Sequence, residues 1–289
     1  LIQCGLVAVV FWPAPASQRE AARQHLSTVA PALVEEIHIG DEFDNEVVLS
    51  HENGRWQLPE LEGLPADPER IRQLLQGLTA TTTGWPVAHT AAARQRFQVA
   101  DYHYQRRIIL IGGGELLDTI YLGTSPGFRK VHARNALDEA VHRIDFNNFE
   151  APVTAGAWLD RELLQTRVPM SISSELYDLR REGEAWVSGW GEAPDERELQ
   201  VLLLTLENLQ VQDIASEDDQ RELAALEPGL TLHINGLSGE QTLELLATEG
   251  GHFVHSNRYG LFFRVSAYDY DRLAGLDAER LMGGAPPVE

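Results

Sequence analysis

The chain has 289 residues, which suits two domains at about 100–200 residues each. Lys and Arg number 23 against 44 Asp and Glu, a net charge of -21; such a surface repels phosphate backbones and anionic headgroups and argues against nucleic acid as a partner. The single cysteine, Cys4, leaves the fold without an intrachain disulfide.

The first twelve residues, LIQCGLVAVVFW, carry no charge. Spanning a bilayer takes about 20 apolar residues, so this stretch reads as the outer half of a transmembrane helix. Trp12 and the prolines Pro13 and Pro15 mark its interfacial end. A signal-peptide apolar region or a buried strand are the alternatives. Ser17 to about Val29 reads as a polar stalk helix.

EEIHI (35–39) alternates as a strand, and EVVLSHENGRWQL (46–58) reads as a hairpin turning at Asn53-Gly54. In LPADPERIRQLLQGL (64–78), Asp67 is placed as N-cap and Pro68 at the first helical position. Ile71, Leu74, Leu75 and Leu78 then share one helical face. A Thr-rich strand or loop (79–90) precedes two strands around a glycine turn (105–123). KVHARNALDEAVHRI (130–144) reads as a strand running into a short helix that begins near Asn135.

From Val168 the order returns: strand–turn–strand (171–189), helix (193–209), glycine hairpin (230–246) and a closing strand and helix (260–273). Trp186 echoes Trp56, and both are expected in the core under the helix of their copy. Ile111, Gly113 and Thr119 match Ile234, Gly236 and Thr242. Ala136 and Asp138 match Ala267 and Asp269. The expected fold is therefore α+β, two tandem copies of an antiparallel-sheet-plus-helix module behind an N-terminal transmembrane helix. Residues 1–30 form the end of the anchor and the stalk, 31–146 the first module, 147–167 a connector, and 168–289 the second module with a C-terminal tail. Within the connector, AWLDRELL is expected to form a turn of helix packing Trp158 and Leu163.

EEIHI, the NGRWQL hairpin, the PADPERIRQLLQGL helix, the IILIGGG…IYLG hairpin and WLDRELL together resemble the DUF4340 domain family over approximately residues 33–165, the second copy being a divergent continuation. The resemblance implies a bacterial protein held in the cytoplasmic membrane by one N-terminal helix, with its globular part in the periplasm. It also implies company: the permease, ATPase and auxiliary extracytoplasmic subunit of an ABC transporter of the gliding-motility type. It brings no catalytic residues.

Reactive constellations are sparse. Gly112-Gly113-Gly114 is followed by Glu115-Leu116, not by the Lys-Ser/Thr of a phosphate loop, and sits between two strands, so a hairpin turn is expected. Glu139 and His142 would stand three apart on a helix, a spacing for metal binding or, preferred here, a surface ion pair. His252 and His255 are three apart and cannot share a strand face. Glu217-Asp218-Asp219 reads as the cap of a following helix, QRELAAL. No cofactor or metal is expected. Tyr102, Tyr104, Phe128, Trp190 and Tyr259 are the candidates for a partner surface, with strand packing as the competing account. The expected function is a non-enzymatic extracytoplasmic accessory or scaffold subunit of the transporter. The alternative is an extracytoplasmic binding protein for a glycan, lipid or peptide of the cell envelope.

Overall fold

A computed structural model describes residues 25–283 apart from 238. The expected membrane segment and residues 17–24 of the stalk lie outside the described residues. Among the described residues no helix is long and apolar enough to cross a membrane. Residues 25–29, expected as the stalk's last turn, are not helical. His25 bridges to Thr82, Leu26 N–H donates to the Thr81 carbonyl, and Asn135 donates to the Leu26 carbonyl. Burial of Leu26 and Ser27 explains the departure: tertiary contact overrides a weak helical propensity.

The fold is α+β with two large antiparallel sheets, and the chain divides into two compact units between Leu159 and Asp160. Unit 1 contains β1 (Glu36–Asp41), β2 (Glu46–Glu52), β3 (Arg55–Leu58), β4 (Leu64–Pro65), helix α1 (Pro68–Thr79) and helix α2 (Ala91–Arg96). The strands β5 (Val99–Ala100), β6 (His103–Tyr104), β7 (Arg106–Gly112), β8 (Glu115–Leu122), β9 (Val131–Asn135) and β10 (His142–Ile144) follow. The sheet runs β10-β9-β8-β7-β1-β2-β3-β4, and β5 pairs with β6 apart from it. Alternation explains the inward set: Ile37, Ile39, Val47, Leu49, Ile108, Leu110, Ile120 and Leu122 are all buried.

The β2–β3 hairpin turns through Asn53 (φ 52°) and Gly54 (φ 78°), both left-handed as a type I′ turn requires. Helix α1 starts where Asp67 accepts from the N–H groups of Glu69 and Arg70, and Ile71, Leu74, Leu75 and Leu78 are buried. Gly77 lets α1 lie against a buried ring: a Cβ there would stand 2.9 Å from Phe146. The connector's first half belongs to this unit. Asp67 N–H donates to the Trp158 carbonyl (2.7 Å), Ala66 bridges to Leu159, and Trp158 is fully buried.

Unit 2 contains β11 (Pro169–Ser173), β12 (Asp178–Glu182), β13 (Ala185–Ser188), α3 (Glu196–Asn208), β14 (Val211–Ile214) and α4 (Glu217–Leu223). It closes with β15 (Leu230–Gly236), β16 (Gly239–Thr248), β17 (Gly251–Ser256), β18 (Leu261–Val265), α5 (Ala267–Ala274) and α6 (Ala278–Leu281). Its sheet runs β13-β12-β11-β15-β16-β17-β18-β14. Seven strands stand in the same order as β3-β2-β1-β7-β8-β9-β10 of unit 1. The eighth differs: β4 lies beside β3, whereas β14 lies beside β18. In unit 1 the Ala66 N–H donates to the Trp56 carbonyl (2.9 Å). Pro194 holds the position before the α3 cap Asp195 and has no N–H to give.

Three expectations are corrected here. The segment after β9 is not helical: the side chains of Asn135 and Asp138 accept from Leu137 N–H and Ala140 N–H, and Val141 bridges to Ala88. Such side-chain bonds compete with a helix. The match of 130–144 with 260–273 is also displaced by one strand, since the sheet order sets β9 level with β17 and β10 level with β18. Finally, Trp56 and Trp186 are only half-buried, in strands sharing one burial pattern; the fully buried indole is Trp158.

Candidate functional site

At the strand ends where β1 stops and β7 starts, unit 1 opens a cavity of about 570 Å³. The tip of the loop before β9 forms one wall. Gly127 bridges to Lys130, and the Ser125 hydroxyl lies 2.8 Å from both their carbonyl oxygens. Between them Arg129 takes φ 50°, a left-handed conformation that costs a non-glycine residue about 1 kcal/mol or more. This tight turn pushes Phe128 out to 91% exposure.

The opposite wall is the short turn Asn148–Glu150 after β10. The Asn147 side chain accepts from Phe149 N–H, and Phe149 is 83% exposed. Asn148 donates to Gln105 Oε1 (2.7 Å) and to the Gly123 carbonyl (3.0 Å), while Gln105 donates to Gln98. The Asn148 Oδ1 is buried with no hydrogen-bond partner among the described residues. Arg106 is fixed by donating to the Ala151 carbonyl (3.0 Å). Beside this cavity lies a second, of about 470 Å³, at the start of α1. Arg129 and Phe149 border both.

Taken together the charges of the two cavities balance, with the first richer in cations and the second in carboxylates. Arg70, Arg106, Arg129 and Lys130 face Glu42, Asp67, Glu69 and Glu150, four against four, on a chain with 23 against 44. Several are committed to partners. Lys130 pairs with Asp145, and its hydrogen bond and charge hold that carboxyl below its usual range. The Arg72 hydrogen bond, helped by Gln73, lowers Glu69 to about 2. Burial pushes the neighbouring Asp41 up, but hydrogen bonds from Asn45 and the backbone, with Arg106 nearby, lower it overall. Carboxyls pinned in the charged form are poor proton shuttles near neutral pH. Arg129 keeps only a long contact to Glu150, 3.8 Å, and its side chain is 69% exposed.

Residues 56–228 match the family model described as Domain of unknown function (DUF4340). The chain belongs to the DUF4340 family. The match begins in β3 and crosses the boundary between the units, so it extends further into unit 2 than the resemblance over 33–165 does. No curated protein and no solved structure matches.

In this DUF4340 protein the five proposed surface residues are dispersed. Phe128 rims the first cavity. Tyr102 is exposed at the tip between β5 and β6, and Trp190 after β13. Tyr104 is half-buried, its ring 5.6 Å from Tyr121 and 5.5 Å from the Arg107 guanidinium. Tyr259 packs edge-on to Phe263 at 6.0 Å, and its hydroxyl donates to the Leu163 carbonyl (3.4 Å). Gly113 and Gly114 make the β7–β8 turn, as expected. The anticipated pairing of Glu139 with His142 on a helix is replaced: His142 sits buried in β10, and Asp138 lies 3.6 Å from it. His252 and His255 stand apart in β17, the first against Tyr270, the second paired with Glu244 (2.9 Å). Among the described residues no group of three or more His, Cys, Asp or Glu could hold a metal.

Arg129, Phe149, Asn148 and Gln105 escape a sequence reading because they meet only when the ends of β1, β7, β9 and β10 come together. The visible signal was the chain's local composition: Phe128-Arg129-Lys130 and Asn147-Asn148-Phe149 break the prevailing acidity with exposed rings and amides.

Proposed function

We propose that this chain is a non-enzymatic accessory subunit, tethered by an N-terminal membrane helix and working with the permease and ATPase of an ABC transporter of the gliding-motility type. The observation that supports binding in preference to chemistry is the aromatic-rimmed pair of cavities in unit 1. Phe128 and Phe149 stand exposed beside Arg129, while Glu69 is tied to Arg72 and Asp145 to Lys130. Exposed rings beside an underused guanidinium are the residue types that dominate recognition sites. The transporter association rests on the family resemblance. The common order of seven strands in the two sheets supports a further reading, that the units are tandem copies of one module.

A second reading, an extracytoplasmic binding protein for a cell-envelope ligand, is favoured by the concavity of the site: volumes of about 570 and 470 Å³ lie within the range of ligand pockets. The transporter reading is tested by tagging the chain at its natural expression level and purifying it from membranes in mild detergent. Permease and ATPase should be recovered with it in fixed proportion, and less of both with F128A/F149A. Recovery of the chain alone would sink this reading.

A further inference from the structure

We propose that the paired cavities of unit 1 bind a neutral oligosaccharide, with Phe128 and Phe149 as stacking platforms and Arg129 reaching ring hydroxyls from between the two cavities. The proposal rests on the binding-protein reading and not on the transporter association.

Three observations select this class of ligand. The first is charge. The first cavity is lined by Arg106, Arg129 and Lys130 against Glu42, the second by Arg70 and Arg129 against Asp67, Glu69 and Glu150. Lys130 is paired with Asp145 and Arg129 with Glu150, so a ligand crossing both cavities meets four cations and four carboxylates and gains no net attraction from either sign. The chain's overall charge of -21 also repels anions. The second is the state of the backbone. A peptide laid along the site would draw on main-chain donors and acceptors, and here several of those in the walls are already bonded. Lys130 N–H donates to the Gly127 carbonyl, Glu150 N–H to the Asn147 carbonyl, and Ala151 N–H to the Asn148 carbonyl. Ser125 and Asn148 side chains occupy the carbonyls of Gly127, Lys130 and Gly123. Recognition falls more to side chains, and these include the Arg129 guanidinium and the Asn148 Oδ1, which has no partner among the described residues; a donor and an acceptor suit hydroxyls, which both give and take a hydrogen bond.

The third is the rim. Phe128 and Phe149 are 91% and 83% exposed, so their faces are open to the C–H face of a pyranose ring. Both are held by short turns and need little ordering on binding. Because Arg129 and Phe149 border both cavities, a ligand crossing between them is elongated. An oligosaccharide fits better than a monosaccharide. The left-handed backbone at Arg129 sets its guanidinium at that crossing.

The test titrates the purified chain with cellohexaose, chitohexaose and laminarihexaose, using saturation-transfer NMR and calorimetry. Hexagalacturonic acid and the peptide acetyl-(Gly-Phe)3-amide represent the competing classes. At least one neutral hexasaccharide should bind with Kd of about 0.1–1 mM. F149A should weaken it at least tenfold and R129Q about fivefold, while W190A, in unit 2, leaves it unchanged. All three substitutions are at exposed side chains, so folding is preserved, and the circular dichroism spectrum checks it. Absence of binding by all three sugars overturns the proposal. So does equal binding by F149A, or a preference for the acidic sugar or the peptide. The titration uses the chain alone, so its failure leaves co-purification with the transporter standing, and the reverse also holds.

Discussion

Trp158→Ala should destabilise unit 1 by about 4–6 kcal/mol, the sum of losses at one buried ring. The indole is fully buried, and replacing a buried Trp by Ala costs about 3–5 kcal/mol through lost transfer energy and the cavity left behind. Its Nε1 donates to the Pro152 carbonyl at 2.9 Å, and leaving that acceptor without a donor adds about 1 kcal/mol. The Arg70 guanidinium sits 5.1 Å from the ring centre while donating to the Ala157 carbonyl, so its loss frays the contact between α1 and the chain that follows β10. Trp158→Phe keeps most of the apolar contact and should cost about 1–2 kcal/mol, mainly the hydrogen bond and some volume. Native-state hydrogen exchange of the α1 amides reports the change within unit 1. A loss under about 2 kcal/mol for the alanine variant, or α1 protection left intact, would refute the view that residues 148–159 are part of this unit's core.

Gly77→Ala should destabilise despite a helix-propensity gain of about 1 kcal/mol. The new Cβ would stand 2.9 Å from the ring of buried Phe146, and overpacking of about 1–3 kcal/mol outweighs the gain; a urea midpoint that falls checks the sign. Glu69 should titrate near 2 in carboxyl NMR, held down by Arg72, and R72Q should bring it back towards 4.5. Because the folded value is the lower one, this stabilisation is complete above the unfolded value of 4.5 and is lost as pH falls towards 2. Burial lowers the His132 pKa, with Arg143 and Arg96 adding to the effect and a bond to Thr124 opposing it. The unfolded chain therefore takes up the proton first as pH drops below 6.5, and stability falls with it. His132→Gln should remove part of the difference between urea midpoints measured at pH 7.5 and 5.5.

Local chemistry was legible in the sequence wherever one short segment decides the outcome. Asn53-Gly54 specifies its turn, and Asp67 caps α1 in the predicted place with the predicted buried face. The helix expected over 193–209 is present as α3, Glu196–Asn208, with Asp195 as its cap. The reading failed where distant strands compete for a segment. Residues 136–141 have helix-forming letters, yet their amides are claimed by Asx turns and by Ala88. Helix α2 and the β5–β6 pair were missed because each is two to six residues long, too short for periodicity to register. The site was visible only through Phe128. Its other members lie up to 107 positions apart, from Glu42 to Phe149 (149 − 42), and no spacing rule joins them.

The groove of unit 1 holds a residue whose placement needs an explanation. Arg129 is placed at a cost. Arg129 sits in a backbone conformation that non-glycine residues avoid, and such strain persists where surrounding bonds over-determine it. Those bonds are present: Ser125 ties both ends of the turn, and Gly127 closes on Lys130. A turn built only to reverse the chain would work as well with glycine at that position. What glycine could not supply is a guanidinium held between two cavities, next to two open aromatic rings. The strained residue and the functional assignment therefore point to the same atom group. Arg129→Gly separates the two roles: it relieves the strain, so stability should hold or rise slightly, while the groove loses its central donor. A variant that is more stable and binds less would show that the strain is retained for recognition.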